Sequence, residues 1–173
     1  MAKKHYIIVS VTLGAIAASA AALIGLTNFI TKNRIEENKK IKIQEGIAEI
    51  FGKEASIKNE YSIEKNDYQY VNYVYEIQKD NTVGYAFKSE GSNMYGKISL
   101  IVGFDAANNF VSLNIVEDEQ TYATALEDDY IAPVNGGSRD INDVNCGATF
   151  GAKLVRDMIN EAKKANEEKV WIK

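Results

Sequence analysis

The group in this chain that is best placed for chemistry is the hydroxyl of Thr149, which closes the segment DVNCGAT at residues 143–149. Apolar residues after it recur with a helical period, so a helix is predicted to begin at this threonine. The predicted apolar stripe comprises Phe150, Gly151, Leu154, Val155, Met158, Ile159 and Ala162. At about 100° per residue, Thr149 lies opposite the centre of that stripe, on the predicted solvent face.

A hydroxyl in that position suits a phosphate group. The first turn of a helix leaves backbone N–H groups unpaired, and the helix dipole places partial positive charge there. Lys153 and Arg156 share a helical line with Thr149 and could help to hold negative charge. The competing interpretation is structural: Asp143 near the helix cap and Gly147 in the turn would then serve only to begin an amphipathic helix.

The spacing resembles the D-x-x-[ST]-G-A-T signature of proteins that carry FMN as a phosphoester on the last threonine. Cys146 stands where that family usually has Ser or Thr. The resemblance implies covalent FMN on Thr149, moved there from FAD by a separate flavin transferase. The cofactor-binding residues predicted in this region are Asp143, Cys146, Gly147, Ala148, Thr149 and Lys153. Cys146 is predicted to be a small replacement for serine, with redox activity as the alternative.

Composition excludes several classes of function. Taking the three lysines up to residue 32 from the chain's 20 basic residues leaves 17 against 24 acidic residues, a formal charge of −7, which argues against a nucleic-acid partner. The sequence has one cysteine and one histidine, His5. Internal disulfides, multi-cysteine or multi-histidine metal sites and a histidine-based catalytic triad are therefore excluded. A redox carrier needs none of these, because its cofactor supplies the chemistry.

The N-terminal region contains an uncharged apolar run at residues 6–30, which is long enough to cross a bilayer. A cleaved signal peptide is the competing interpretation, because Ala18-Ser19-Ala20 resembles a cleavage site. The apolar run continues well beyond that site, which favours an uncleaved anchor. Basic residues follow the span as well as precede it, so the positive-inside rule does not by itself place the C-terminal domain outside the membrane.

The rest of the chain predicts an α+β domain. Helical spacing of isoleucines predicts a juxtamembrane helix that ends near Gly52, and polar residues 53–67 predict an irregular connection. Strands are predicted at residues 68–78, 83–89, 97–104 and 110–116, in an antiparallel meander with a loop at 90–95. In the first strand, the residues predicted to share one face are Val71, Tyr73, Tyr75 and Ile77. The predicted divisions are an anchor at 1–32, a helix and connection at 33–67 and an FMN-binding domain at 68–173.

This order of elements resembles the FMN-binding domain that one membrane-anchored subunit of the Rnf electron-transport complex shares with one subunit of the Nqr complex. The family patterns G-Y-A-F and G-x-I-x-L-x-V-G-x-D occur at residues 84–87 and 96–105. A departure follows at residues 119–125, EQTYATA, where the family usually has E-T-P-G-L-G. Thr121 matches, and Gln120 occupies the glutamate position, so the resemblance assigns both to the cofactor site. This segment lacks the proline and both glycines, so its turn geometry must differ.

Other signals carry less weight. Gly147, Gly151 and Lys153 do not meet the phosphate-loop pattern G-x-x-x-x-G-K-[ST], which argues against a nucleotide hydrolase. The acidic groups at residues 117–119 and 127–129 are predicted to be solvated, with cation binding as the alternative. Tyr122 or Tyr130 could stack on a flavin ring, although most tyrosines in strands serve packing.

The resemblance thus predicts a membrane-anchored, extracytoplasmic flavoprotein that relays electrons through FMN on Thr149, in an Rnf-like ion-translocating oxidoreductase or a related chain. It would be an electron-transfer subunit without a complete active site of its own. Its implied partners are membrane electron-transfer subunits and the flavin transferase, besides the bilayer at residues 6–30. The external location of the domain is implied by the resemblance alone. The alternative is a membrane-anchored binding or scaffold domain that kept the fold without flavin, which the altered segment at 119–125 supports.

Overall fold

The computed structural model describes residues 2–64, 68–79, 82–169 and 171. The chain divides into two compact units, Met1–Ile41 and Lys42–Lys173, and the sequence-based divisions after residues 32 and 67 stay a prediction. The elements in chain order are α1 (Ala2–Phe51), β1 (Ser56–Ser62), β2 (Val71–Lys79), β3 (Thr82–Asn93), β4 (Gly96–Phe104), β5 (Phe110–Asp118), α2 (Ala123–Leu126), a π-helical turn (Glu127–Ile131), α3 (Ala132–Asn135) and α4 (Thr149–Glu168). This is the α+β class that the sequence predicted.

The first unit is the N-terminal part of α1. Its segment Tyr6–Phe29 has a mean hydropathy of 2.3 and is, among the described residues, the one helical stretch long and apolar enough to cross a membrane. The hydroxyls of Thr12, Ser19 and Thr27 each donate to the carbonyl four residues earlier. These polar side chains are therefore satisfied within the helix, as a lipid environment requires.

The predicted juxtamembrane helix is confirmed as the C-terminal part of α1. Ile43, Ile47 and Ile50 are buried and form a core cluster with residues of the sheet. The helix ends at Phe51, and Gly52 follows with φ of +97°, in the left-handed region that glycine commonly adopts just after a helix.

Five strands form an antiparallel meander in the order β1-β2-β3-β4-β5. The predicted irregular connection at residues 53–67 is wrong, because β1 pairs with β2 within it. The β1 sequence SIKNEYS is polar and largely exposed at the edge of the sheet. It therefore lacks the alternation of apolar and polar residues by which a half-buried strand is predicted.

β2 carries an irregularity that changes which way its side chains face. Its register with β3 shifts between Val71 and Tyr73. Val71 consequently packs with Val74 in the main core, whereas Tyr75 and Ile77 pack in the cluster beside α1. The prediction of one shared face is thus wrong at Val71, because one extra residue reverses the alternation.

β3 is longer than predicted, since it extends to Asn93 and leaves only Met94 and Tyr95 as the turn before β4. Gly91, which suggested a loop, lies within this strand. A Cβ there would come within 2.6 Å of Met158 and 2.9 Å of Leu154, both on α4. The glycine therefore allows α4 to approach the sheet closely.

α4 packs on the sheet and closes the main core. Its predicted stripe is buried at Gly151, Leu154, Val155, Met158, Ile159 and Ala162. Phe150 is the exception, with 51% of its surface exposed. The Glu161 carboxylate accepts backbone N–H groups of Gln69, Tyr70 and Val71 at 3.1, 2.6 and 2.8 Å. This charged acceptor ties α4 to the start of β2.

Candidate functional site

The start of α4 is built from small residues. The helix begins at Thr149, as predicted, and its N-cap is Ala148, which has no side-chain oxygen to accept a hydrogen bond. The N-cap residue therefore leaves the first-turn N–H groups without a side-chain cap. Asp143, which the structural interpretation places near the cap, does not cap the helix, because its carboxylate accepts the N–H of Asn145 at 3.3 Å instead.

The Thr149 side chain is half-buried rather than on a fully exposed face. Its Oγ1 donates a hydrogen bond of 2.7 Å to the carbonyl oxygen of Cys146. Because the hydrogen is directed at this carbonyl, the oxygen lone pairs are directed away from it. Thr149 also lines an open cavity of about 270 Å³.

That cavity, here called the α4 cavity, joins three parts of the fold: the start of α4, the β3–β4 turn and the segment between β5 and α2. Its lining residues are Tyr95, Gln120, Tyr122, Gly147, Ala148, Thr149, Phe150 and Gly151. The Tyr95 ring lies 5.5 Å from that of Tyr122 and 5.5 Å from that of Phe150, centroid to centroid. Exposed aromatic surface around a cavity is typical of sites that bind planar ligands.

Gln120 is the buried polar residue of the α4 cavity, with 8% of its surface exposed. Its Nε2 donates to Asn93 Oδ1 at 3.1 Å and to the Gly96 carbonyl. Asn93 Oδ1 also accepts the N–H of Tyr95, so its identity as an acceptor is fixed. Both partners of Nε2 are acceptors, which determines the orientation of the Gln120 amide and directs Oε1 away from them.

The Oε1 atom of Gln120 has no hydrogen-bond partner within the described part of the chain. It lies beside Gly151, where an added Cβ would be 3.5 Å from it. Oε1 is not among the buried side-chain atoms that lack a partner, so it is accessible from the cavity. The α4 cavity therefore presents an acceptor that a ligand could satisfy.

Two predicted site residues, Cys146 and Thr121, lie beside the α4 cavity rather than in its lining. The Cys146 side chain is half-buried against the main core, and its carbonyl holds the Thr149 hydroxyl. Thr121 is exposed, and both its N–H and its hydroxyl donate to the Tyr95 carbonyl, at 3.1 and 3.4 Å. Thr121 thereby fixes the β3–β4 turn that carries Tyr95.

The charged residues near the site are of both signs. Lys153 is exposed, and its Nζ lies 5.8 Å from the centroid of the Phe150 ring. Arg156 is paired with Asp157, its neighbour in sequence, at 2.8 Å. Asp129 borders the helix start, since a Cβ on Gly147 would lie 3.1 Å from its Oδ2. Of the two predicted phosphate-binding cations, Lys153 is thus the one that carries no carboxylate partner among the described residues.

The two tyrosines that were candidates for stacking on a flavin ring differ in their exposure. Tyr122 lines the α4 cavity and is 51% exposed. Tyr130 is fully buried and donates its hydroxyl to the Ile141 carbonyl, and burial raises its pKa to about 12. The stacking interpretation is therefore wrong for Tyr130. No group of three or more His, Cys, Asp or Glu side chains among the described residues could hold a metal ion.

Three cavity residues, Tyr95, Phe150 and Gly151, were not predicted from the sequence. Tyr95 fell in a predicted loop, and Phe150 and Gly151 were assigned to the buried stripe. The sequence did indicate that Phe150 lies near the site, because this residue directly follows Thr149 and so belongs to the same first turn. Together with the half-buried hydroxyl, the uncapped N–H groups and Gln120 Oε1, these residues fit a phosphate-linked planar ring that has an N–H group.

The observations give a chain with one helical segment long and apolar enough to cross a membrane and a domain with a cavity at a helix start. Residues 1–50 match the family model described as the RnfG N-terminal region. The match covers less than a third of the 173 residues, and it makes the N-terminal part of the chain similar to the RnfG family, as the sequence resemblance indicated. This family is generally flavin-associated, and its members partner with other membrane electron-transfer subunits. No curated protein matches the chain.

Proposed function

We propose that this protein is a membrane-anchored, extracytoplasmic electron carrier whose FMN is esterified to Thr149, within an Rnf-like ion-translocating oxidoreductase or a related chain. One observation carries the proposal: the Thr149 hydroxyl, at an uncapped helix start, opens into the same cavity as Tyr95, Tyr122, Phe150 and the unpartnered Oε1 of Gln120. The bound flavin would supply reversible redox chemistry, and the protein would supply attachment and orientation.

The residues at the helix start have separate tasks in this proposal. The first-turn N–H groups and the helix dipole stabilise the negative charge that a phosphodiester keeps. Gly147 leaves room near Thr149, because a side chain there would meet Asp129. Transfer of FMN from FAD forms the bond between Thr149 Oγ1 and phosphorus, breaks the FAD pyrophosphate bond and releases AMP. The hydroxyl proton passes to a base of the transferase.

The membrane anchor and the ester serve one purpose. The apolar segment Tyr6–Phe29 holds the chain at the bilayer, and the ester holds the flavin on the chain. A dissociable FMN would be lost outside the cell, whereas an attached one stays within a fixed range of its membrane partners. Partner subunits and a flavin transferase are accordingly part of the proposal.

The alternative, a scaffold domain without flavin, is favoured by the departure from the family pattern at residues 119–125. Two residues of that segment, Gln120 and Tyr122, nevertheless line the α4 cavity. The altered segment thus still contributes a polar group and an aromatic ring to the site. This supports the flavoprotein over the scaffold.

Intact mass spectrometry of the full chain tests the proposal. We expect one FMN-sized adduct when the protein is produced with an active flavin transferase, and none when the transferase is omitted. Fragmentation should assign the adduct to the peptide that contains Thr149. An unmodified protein in both cultures, with the transferase active on another substrate, would favour the scaffold.

A further inference from the structure

A second cavity, here called the distal cavity, lies against the middle of α4 and shares no lining residue with the α4 cavity. Its volume is about 490 Å³, against about 270 Å³ for the α4 cavity. It is bounded by α4, by the β4–β5 turn and by the segment at residues 137–142. Asn160, on its α4 wall, is eleven residues after Thr149, which is about 16.5 Å along a helix axis. The distal cavity is therefore a separate site, and the proposed function gives it no role.

The floor of the distal cavity is apolar and includes aromatic rings. Its apolar residues are Phe104, Phe110, Val134, Ile141 and Ile159. Phe104, Val134 and Ile159 belong to the buried core, whereas Phe110 and Ile141 are half-buried. The Phe110 ring meets that of Phe104 edge-on, with the centroids 6.3 Å apart. The accessible parts of Phe110 and Ile141 thus offer an apolar surface on which a single ring or a short branched chain can pack.

Hydrogen bonds hold the walls of the distal cavity in place. In the β4–β5 turn, the Asp105 carboxylate accepts two backbone N–H groups of the turn, each at 2.8 Å. In the segment after α3, the Asp140 carboxylate accepts the N–H of Asn142 at 2.7 Å. The buried Tyr130 donates its hydroxyl to the Ile141 carbonyl of the same segment. The cavity is therefore preformed, as sites for small molecules usually are.

The polar residues around this floor include one unpaired cation. Lys163 is exposed and has no carboxylate partner among the described residues. Arg139, the other cation of the lining, is engaged with its own segment: Nε lies 3.8 Å from Asp143 Oδ2, and the terminal nitrogens donate to the carbonyls of Asp143 and Asn145. Asp140 also lines the cavity, so two cations and one carboxylate leave one net positive charge, although the chain as a whole is acidic. One free cation beside an apolar floor matches a ligand with one negative charge.

We propose that the distal cavity binds a small monocarboxylate with a ring or a branched chain: the apolar part packs on Phe110 and Ile141, and the carboxylate pairs with the Lys163 ammonium. The side-chain amides of Asn108 and Asn160, which also line the cavity, supply further donors for the carboxylate oxygens. A second negative charge on the ligand would meet no further free cation in the lining, so the site selects a monoanion over a dianion. The inference goes beyond the proposed function and does not depend on flavin, since no residue of the α4 cavity takes part.

The probes are hydrocinnamate, which is a phenyl ring on a short carboxylate chain, and its neutral amide, which has the same size without the charge. Each is titrated into the full chain in a non-ionic detergent at neutral pH, with the isoleucine methyl groups labelled for NMR spectroscopy. We expect hydrocinnamate to shift the methyl resonances of Ile141 and Ile159 along a saturating curve. The resonances of Ile47 and Ile77, which pack in the cluster beside α1, should stay in place and serve as the internal control.

Variants separate the charge from the apolar contact. Lys163→Gln should weaken the binding of hydrocinnamate by roughly 1.5- to fivefold, the range for an exposed charge pair, and leave the binding of the amide unchanged. Lys164→Gln is the matched control, because it removes the same charge from the next residue, which lies over the Tyr68 ring and outside the cavity lining. It should bind both probes as the parent does. Ile141→Ala, with the Ile159 methyl as reporter, should weaken both probes several-fold and alike, because apolar surface is lost.

Each contrary outcome overturns a stated part of the proposal. Equal shifts at the remote and the cavity isoleucines, or no saturable shift at millimolar hydrocinnamate, would show that the distal cavity is not a binding site. Equal affinities of the parent for hydrocinnamate and its amide would overturn the assignment of an anionic ligand. Equal losses in Lys163→Gln and Lys164→Gln would overturn the role of Lys163. These measurements need no flavin, so their failure is distinct from a failure of the attachment at Thr149.

Discussion

The hydroxyl of Thr149 donates to the carbonyl oxygen of Cys146 at 2.7 Å. Since the acceptor is main chain, the presence of cysteine at position 146, where the resembling family has Ser or Thr, leaves this contact unchanged. Esterification of Oγ1 removes the hydrogen, so the attached state must satisfy the Cys146 carbonyl by other means, such as water. The hydrogen bond from Thr149 to the Cys146 carbonyl can therefore exist only before the flavin is attached.

The first prediction concerns the attachment residue. Thr149→Ala should abolish the adduct, because no oxygen remains to form the ester, while Thr149→Ser should keep part of it. Both variants should fold, since the side chain is half-buried and its one hydrogen bond contributes about 1 kcal/mol. Intact mass and far-UV circular dichroism are the measurements. An adduct that persists in Thr149→Ala would place the flavin elsewhere.

The second prediction separates two charged residues of the motif. Lys153 is exposed and offers only a screened attraction, about 0.2–1 kcal/mol for a surface pair, so Lys153→Ala should slow flavin attachment modestly. Asp143 should matter more, because its carboxylate holds the Asn145 N–H and lies 3.8 Å from the Arg139 guanidinium. Asp143→Ala should therefore reduce incorporation far more at limiting transferase.

The measurement is the adduct fraction over time, with folding checked by circular dichroism. Equal incorporation in Asp143→Ala and the parent would show that the match at position 143 is fortuitous.

The third prediction concerns the support beneath the α4 cavity. Leu126 is fully buried, and its methyl groups lie under Gly151 at the start of α4. Leu126→Ala should lower the free energy of unfolding by about 2–5 kcal/mol, as a buried large-to-small change does. Chemical denaturation in detergent measures this, with Thr124→Ala at an exposed position of the same helix as the control. A loss below about 1 kcal/mol would mean that the contact is not well packed.

The fourth prediction follows from Glu90. Burial disfavours its charged form, but Lys88 at 2.9 Å and Lys97 at 3.4 Å outweigh this and lower its pKa. The folded-state pKa is then below the unfolded value of about 4.3. The stabilisation is present above that value and is lost as the pH falls through the folded-state pKa.

Glu90→Gln should therefore be less stable than the parent near neutral pH, by about 1 kcal/mol or less for partly exposed pairs. The difference should shrink below about pH 4. Denaturant unfolding at several pH values measures it. A difference that stays constant down to about pH 3 would argue against the ion pairs.

The fifth prediction concerns the membrane. The apolar segment Tyr6–Phe29 should keep the protein in the membrane fraction after carbonate extraction, with its N-terminus intact. N-terminal sequencing of the mature protein is the decisive measurement. A mature protein that begins near Ala21 and is released as a soluble domain would identify the segment as a signal peptide.

Sequence periodicity predicted the parts of the fold in which one face is buried. The stripe of α4 from Leu154 to Ala162 and the isoleucines of the juxtamembrane helix are examples, because burial of one helical face requires a repeat near 3.6 residues. β1 could not be predicted in this way. An edge strand with both faces largely exposed satisfies its backbone hydrogen bonds without any apolar pattern.

The candidate site was predictable only in part, for a related reason. Thr149, Gly147 and Ala148 are neighbours in sequence, so a local motif could identify them. Tyr95 joins them because the register of β3 with β4 places that turn beside α4. The bulge after Val71 and Gly91 likewise serve contacts between elements that are distant in sequence. Neither has a neighbouring sequence pattern by which it could be told from an ordinary turn residue.

Glu161 fixes α4 at a point far from Thr149. Its carboxylate accepts three successive backbone N–H groups at the start of β2. Glu161 lies twelve residues after Thr149, which is about 18 Å along a helix axis. The residues between them, among them Leu154, Val155 and Met158, are buried in the main core, so α4 is held as one rigid element from Thr149 to Glu161. For a carrier that passes electrons through space, the distance to the acceptor would then be set at a residue remote from the attachment point.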